Sequence, residues 1–156
     1  MSQNQAQAER DSVPTFGVTA TAETATKTTV EAREFEFVID EPEDLGGEND
    51  GPNPVEYLAG SLAGCLNVVC HLVADEYGIE IDDLEFEIEG ELDPGKLLEN
   101  AEGVRAGYQG LRVEITATTD ADDATLKEWL ADVEDRCPVT DNLANETPVA
   151  IDLTRR

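Results

Sequence analysis

Nothing in this chain of 156 residues offers chemistry as directly as its three cysteines, Cys65, Cys70 and Cys137. They are too few, and odd in number, for a disulfide framework. A thiol does chemistry as the thiolate, which needs a depressed pKa and some exposure. Cys65 lies deep in an apolar, helix-patterned segment, too far from its start to gain much from the helix dipole. It is an inert core thiol unless a cation is brought to it from elsewhere. Cys137 continues the stripe Leu126, Leu130, Val133 and so suits packing, but Pro138 after it also makes it a candidate cap of a following helix, where a thiolate is favoured. Cys70 follows Cys65 by five positions, about 140° around a helix. It cannot pair with Cys65 without unwinding, and reads as core. His71 is the single histidine, and with no second ligand at a suitable spacing no metal site and no cofactor are expected. Arg33, one of few cations, lies on the strand before a Gly-rich loop and by itself reads as a surface ion-pair partner of a neighbouring glutamate.

The elements that must carry these residues follow from pattern. Residues 15–40 read as β structure: a Thr-rich stretch, then Phe35, Phe37 and Ile39 alternating with Glu34 and Glu36. Residues 41–53 hold Gly46-Gly47, Asp50-Gly51 and two prolines, which marks a loop. Asn53-Pro54-Val55-Glu56 combines a cap residue, proline at the first helical position and glutamate at the third. The helix it opens runs to about Tyr77 and is stopped by Gly78. Between Tyr57 and Cys70 its only polar side chains are Ser61 and Asn67, so it is expected to be buried nearly all round. Leu84, Phe86 and Ile88 alternate with glutamates in a strand with one wet face. A loop that has room for a short helix over Pro94–Asn100 is expected, then a strand through Leu111, Val113, Ile115 and Ala117, and a helix capped by Asp120 with Leu126, Trp129, Leu130 and Val133 on one face. Cys137-Pro138 ends that helix and starts a short one. Val149, Ile151 and Leu153 suggest a last strand. Grouped rather than alternating strands and helices point to an α+β fold. One domain is expected over residues 14–156, preceded by a disordered tail over residues 1–13.

Charge bounds the partners. Acidic residues number 36 against 10 basic ones, a net charge of -26. They are spread through every segment, so self-repulsion is strong in dilute salt and screened at molar salt, where the Debye length is about 3 Å. The pattern suggests a cytoplasmic protein of a salt-accumulating, halophilic organism, with its thiols kept reduced. Nucleic-acid binding is excluded for want of a basic patch. The polar, uncharged start has no secretory pattern, and without about 18 uninterrupted apolar residues no membrane span is expected.

Gly46-Gly47, then Gly51-Pro52-Asn53-Pro54-Val55-Glu56-Tyr57-Leu58, then Ala63-Gly64-Cys65, resemble the first-cysteine helix of the OsmC/Ohr family. Gly107-Tyr108-Gln109 resembles a later segment of that family, and Cys137-Pro138-Val139 its second-cysteine motif. The likeness spans residues 15–156. It implies an intertwined homodimer, with antiparallel sheets around long central helices and active sites at the subunit interface. It also implies a thiol peroxidase: Cys65 attacks an organic hydroperoxide, Cys137 closes a disulfide, and a dithiol reductant reopens it, with an arginine (Arg33) and a glutamate (Glu56) assisting. One position departs. The family's helper carboxylate directly follows the helix proline, where this chain has Val55. Glu56, one residue later, is turned by about 100° and lies about 13 Å along the axis from Cys65. It is therefore expected to serve a partner's site or to cap its own helix. A rival expectation is an OsmC-fold protein without peroxidase activity that binds a small molecule or handles sulfur species.

Overall fold

The structure, a computed structural model, describes residues 13–98 and 102–155. The tail expected over residues 1–13 lies outside them, apart from Val13. The chain forms two compact units, Met1–Tyr57 and Leu58–Arg156.

The N-terminal unit is an antiparallel sheet in the order β1 (Thr19–Ala22), β2 (Thr28–Ala32), β3 (Phe35–Ile39). The β2–β3 hairpin pairs Ala32 with Phe35, so its turn is Arg33-Glu34. Arg33 takes the left-handed φ of 56° that such a turn demands, in the turn rather than within a strand. The loop that follows is organised by Asp40, which is fully buried. Its carboxylate accepts the N–H groups of Glu41 at 2.9 Å, Glu48 at 3.0 Å and Asp50 at 3.2 Å. The paired glycines have two causes: Gly46 takes a left-handed φ of 88°, and a Cβ on Gly47 would lie 1.8 Å from the carbonyl oxygen of Glu41. Tyr57 closes the unit by donating its hydroxyl to the carbonyl of Val38 at 2.8 Å.

Helix α1 (Pro54–Tyr77) opens with the capping box read from the sequence. Asn53 Oδ1 accepts the Glu56 N–H at 2.9 Å, and Glu56 Oε2 accepts the Asn53 N–H at 2.8 Å. Gly78, at φ 67°, ends the helix. In the C-terminal unit α1 presents Leu62, Leu66, Val69, Cys70, Val73 and Ala74 to the core. Strands β4 (Asp83–Leu92) and β5 (Tyr108–Thr118) pair antiparallel. Their inward residues Leu84, Phe86, Ile88, Leu111 and Ile115 pack on that core. By length and composition α1 is long and apolar enough to cross a membrane, and one face of it forms the unit's core. Val68 and Leu72, at 65% and 50% exposed, face outward.

Helix α2 (Asp123–Arg136) is capped by Asp122, whose side chain accepts the Thr125 N–H at 2.8 Å. The expected cap, Asp120, lies two residues too early: Thr119 holds a turn there by accepting the Ala121 N–H. Three polar contacts fasten α2 to α1. The Trp129 indole donates to the Cys70 carbonyl at 3.0 Å, Tyr77 donates to Asp132 at 2.8 Å, and Arg136 forks onto Glu76 at 2.7 and 2.9 Å. Cys137-Pro138 then breaks the chain direction, and α3 (Pro138–Ala144) follows.

The loop expected from Pro94 holds a turn over Pro94–Leu98, closed by Leu98 N–H to the Pro94 carbonyl, in place of a short helix; residues 99–101 lie outside the described ones. One expected element differs. The strand expected through Val149, Ile151 and Leu153 is unpaired chain with those side chains 79%, 89% and 97% exposed. Alternation supplies a strand's faces, but its hydrogen bonds need a neighbouring edge.

Candidate functional site

The C-terminal unit brings Cys65 and Cys137 together across 72 residues of sequence, with sulfur against sulfur at 3.3 Å. Both are free thiols. Cys65 comes from the middle of α1 and is partly exposed; Cys137, at the junction of α2 and α3, is fully buried. A disulfide needs about 2.05 Å between the sulfurs, so a displacement of little more than an ångström would join them.

The two sulfurs differ in their surroundings. Burial pushes the Cys65 thiol up, the Val139 N–H offsets part of this, and the neighbouring Cys137 raises it further. Burial also works against the Cys137 thiolate, but the hydroxyl and N–H of Thr140, with help from Cys65 and the Val139 N–H, carry it below the ordinary cysteine value. These donors exist because the first turn of a helix leaves its N–H groups without intrahelical partners. Val139 N–H thus serves both sulfurs. Cys70 has no such donors and is pushed up to about 11 by burial and then by the charge of Cys137; it packs in the core as expected.

Beside the pair lies a cavity of about 560 Å³, lined on one side by Leu58, Leu62 and Leu66 of α1 and on another by Leu111, Val113 and Ile115 of β5. Arg105, Tyr108, Gln109, Glu134 and Thr140 supply its polar groups. Thr140 touches both the cavity and Cys137. Sequence reading missed Arg105, Glu134 and Thr140, which come from three separate segments. Only Thr140 carried a local signal, a hydroxyl three residues after a cysteine that caps a helix.

Arg33 and Glu56 belong to the N-terminal unit. Arg33 holds its guanidinium over the Phe35 ring, 5.2 Å from the centroid. Glu56 completes the capping box with Asn53. His71 is exposed and bonds the Asn67 carbonyl of the preceding turn at 2.8 Å. Three carboxylates, Asp40, Glu48 and Asp50, approach one another closely enough to hold a cation. The ammonium of Lys27 already sits on Glu48 and Asp50, and Asp40 is occupied by backbone N–H groups.

Residues 47–152 match the model of the OsmC-like protein family. Solved structures share the fold. An OsmC-like protein from Mycoplasma pneumoniae is 20% identical, with 84% of this chain and 88% of that one covered and a TM-score of 0.73. An organic hydroperoxide resistance protein from Legionella pneumophila is 20% identical over 85% and 90%, at a TM-score of 0.63. The organic hydroperoxide resistance protein OhrB of Bacillus subtilis is 25% identical over 83% and 90%, at a TM-score of 0.55. No curated protein matches the chain. With the family's model matched across both cysteine segments and its fold reproduced, the chain belongs to the OsmC-like protein family.

Proposed function

We propose that this protein is a thiol-dependent peroxidase that reduces organic hydroperoxides through Cys65 and Cys137. The observation that carries this reading is the 3.3 Å contact between one partly exposed and one buried free thiol. The Legionella and Bacillus relatives, named for organic hydroperoxide resistance, support it. Cys65, the sulfur a substrate can reach, attacks the hydroperoxide as a thiolate and becomes a sulfenic acid. Cys137 displaces the sulfenic oxygen and closes the disulfide, which a dithiol reopens, as a reducing cytoplasm would allow. Arg33 stabilises the thiolate and the peroxide, and Glu56, through the carboxylate oxygen its cap does not use, orients that guanidinium across a dimer.

The dimer belongs to the same proposal. Val68 and Leu72 on α1, and the unpaired Val149, Ile151 and Leu153, leave apolar surface that a second copy would cover. Light scattering in high salt should give twice the chain mass; a folded monomer at micromolar concentration contradicts it. The function is tested by consumption of cumene hydroperoxide in the presence of a dithiol. Wild type is expected to turn over, and Cys65→Ser to fall to the uncatalysed background. If a folded wild type is inactive, the apolar cavity beside the pair favours a small-molecule binding protein on the same fold.

A further inference from the structure

Closing the disulfide is a race. Once a hydroperoxide has oxidised Cys65, the sulfenic acid meets either Cys137 or a second hydroperoxide, which carries it on to the sulfinic acid. Cys137 competes only as a thiolate, with its sulfur aligned on that of Cys65. The 3.3 Å contact gives the alignment. The first turn of α3 holds the Cys137 sulfur in place. Pro138 starts that turn, the Asp141 N–H closes it on the Cys137 carbonyl at 3.0 Å, and Thr140 lies on it three residues after Cys137. The Thr140 hydroxyl and N–H are both hydrogen-bonded to the Cys137 sulfur, and Thr140 also lines the cavity. Besides Cys65, which is the target, Thr140 is the residue whose side chain is hydrogen-bonded to Cys137. The other groups around the pair are the Val139 N–H, the protonated Cys70 of α1, and the apolar Phe86, Ile88, Leu111 and Ile115 of β4 and β5. Arg136, the residue before Cys137, is forked onto Glu76, and Arg105 and Glu134 stand at the cavity.

We propose that Thr140 is the positioning residue of the resolving step: its hydroxyl holds the Cys137 sulfur ready to close the disulfide before a second hydroperoxide arrives. The inference rests on the peroxidase reading and assigns that site a residue that acts through Cys137. In the resolving step the Cys137 thiolate attacks the sulfur of the Cys65 sulfenic acid. The S–S bond forms, the S–O bond breaks, and the departing hydroxide takes a proton from solvent to become water. The sulfenic sulfur is reduced and the Cys137 sulfur is oxidised. In the competing step the sulfenic sulfur attacks the distal oxygen of a second hydroperoxide. An S–O bond forms, the O–O bond breaks, and the products are the sulfinic acid and the alcohol. Thr140 takes part in neither bond change; it sets how much of Cys137 is thiolate and where that thiolate points. The first step lies outside its reach. In the proposed mechanism Arg33 serves the Cys65 thiolate, and contact with Cys137 only pushes the Cys65 thiol up. Weakening the Cys137 anion therefore does not slow the attack of Cys65.

Resolution is read without peroxide by the aromatic disulfide dithiobis(nitrobenzoate). It joins the partly exposed Cys65 and releases one coloured thiolate, and Cys137 then displaces the second. The rate of that second release is followed against pH in wild type, Thr140→Val and Thr140→Ser. Valine keeps the shape of threonine and removes the hydroxyl. In Thr140→Val the midpoint of the pH profile should rise by about one unit. Well below the midpoint the release should slow about threefold, because an about tenfold loss of thiolate is partly offset by an about threefold gain in nucleophilicity. On the high-pH plateau, where both proteins are fully thiolate, the variant should be about threefold faster. A residue needed only for packing would not make the two profiles cross. Thr140→Ser should return the profile to that of wild type, and Thr140→Ala should show the same crossing if Thr140→Val folds poorly. With excess cumene hydroperoxide below the midpoint, Thr140→Val should form the sulfenic acid no more slowly than wild type and accumulate more sulfinic acid on Cys65. A Thr140→Val profile that superimposes on wild type, or that is lowered by one factor at every pH, overturns the proposal. If wild type ignores the hydroperoxide while the profiles still cross, the Thr140 role is upheld and the peroxidase reading alone falls. If wild type turns over while the profiles superimpose, the Thr140 role alone falls.

Discussion

Cys70, in the middle of α1, and Cys137, at the α2–α3 junction, are both fully buried, yet their thiols are driven in opposite directions. In mid-helix every backbone N–H is committed to the ladder, so burial meets no opposition and the thiol rises to about 11. At the junction the N–H groups of a new helix turn, with the Thr140 hydroxyl, stabilise the anion despite equal burial. Burial alone therefore does not say which cysteine is inert. The supply of uncommitted donors decides it, and a chain break between two helices provides them.

The N-terminal unit uses the same device for structure. Asp40 is as buried as Cys137; burial raises its carboxyl, and the N–H groups of Asp50, Glu48 and Glu41 more than offset that, holding it below the ordinary aspartate range. Its donors are the backbone N–H groups of the loop itself, so the result is a fixed loop. Removing the acceptor should have the largest effect on stability. Asp40→Ala leaves three N–H groups without their partner and should lower the thermal midpoint by about 10 °C in high salt. The lowered pKa also gives a sign. Its stabilisation is present above about pH 4 and is lost as pH falls through the native value. The acid limb of a stability-against-pH profile should therefore shrink in Asp40→Asn. A variant as stable as wild type, with the same acid limb, removes Asp40 from the comparison.

Cys70 gives the next effect. Its raised pKa means the native protein holds the thiol proton more tightly than the unfolded chain. The contribution is full below about pH 9 and is lost as pH rises through about 11, amounting to roughly 2–3 kcal/mol. Chemical denaturation between pH 8 and 11 should show this loss in wild type and not in Cys70→Ala. Equal slopes in the two proteins would mean that Cys70 is solvated after all.

Much of the positioning was legible from residue order. Asn53, Pro54, Glu56 and Gly78 bound α1 because caps and stops act locally, and the alternation of Leu84, Phe86 and Ile88 marks β4. Asp120 and Asp122 offer the same cap chemistry two residues apart, and only the Thr125 N–H distinguishes them. The segment through Val149 has a strand's alternation without a neighbour to pair with among the described residues. The approach of Cys65 to Cys137 could be expected only from the family resemblance, since a contact across 72 residues leaves no trace in spacing. The cavity residues Arg105 and Glu134 left none either, because a cavity edge is assembled by tertiary packing.

In the proposed peroxidase Cys65 and Cys137 form one redox pair and Cys70 stands outside it. Stoichiometric cumene hydroperoxide followed by non-reducing peptide mapping tests it most directly. The expected product is a Cys65–Cys137 disulfide within one subunit, with Cys70 still a thiol, and Cys137→Ser should instead accumulate sulfenic acid on Cys65. A folded protein whose Cys65 is unmodified after peroxide, or whose disulfide involves Cys70, would contradict it.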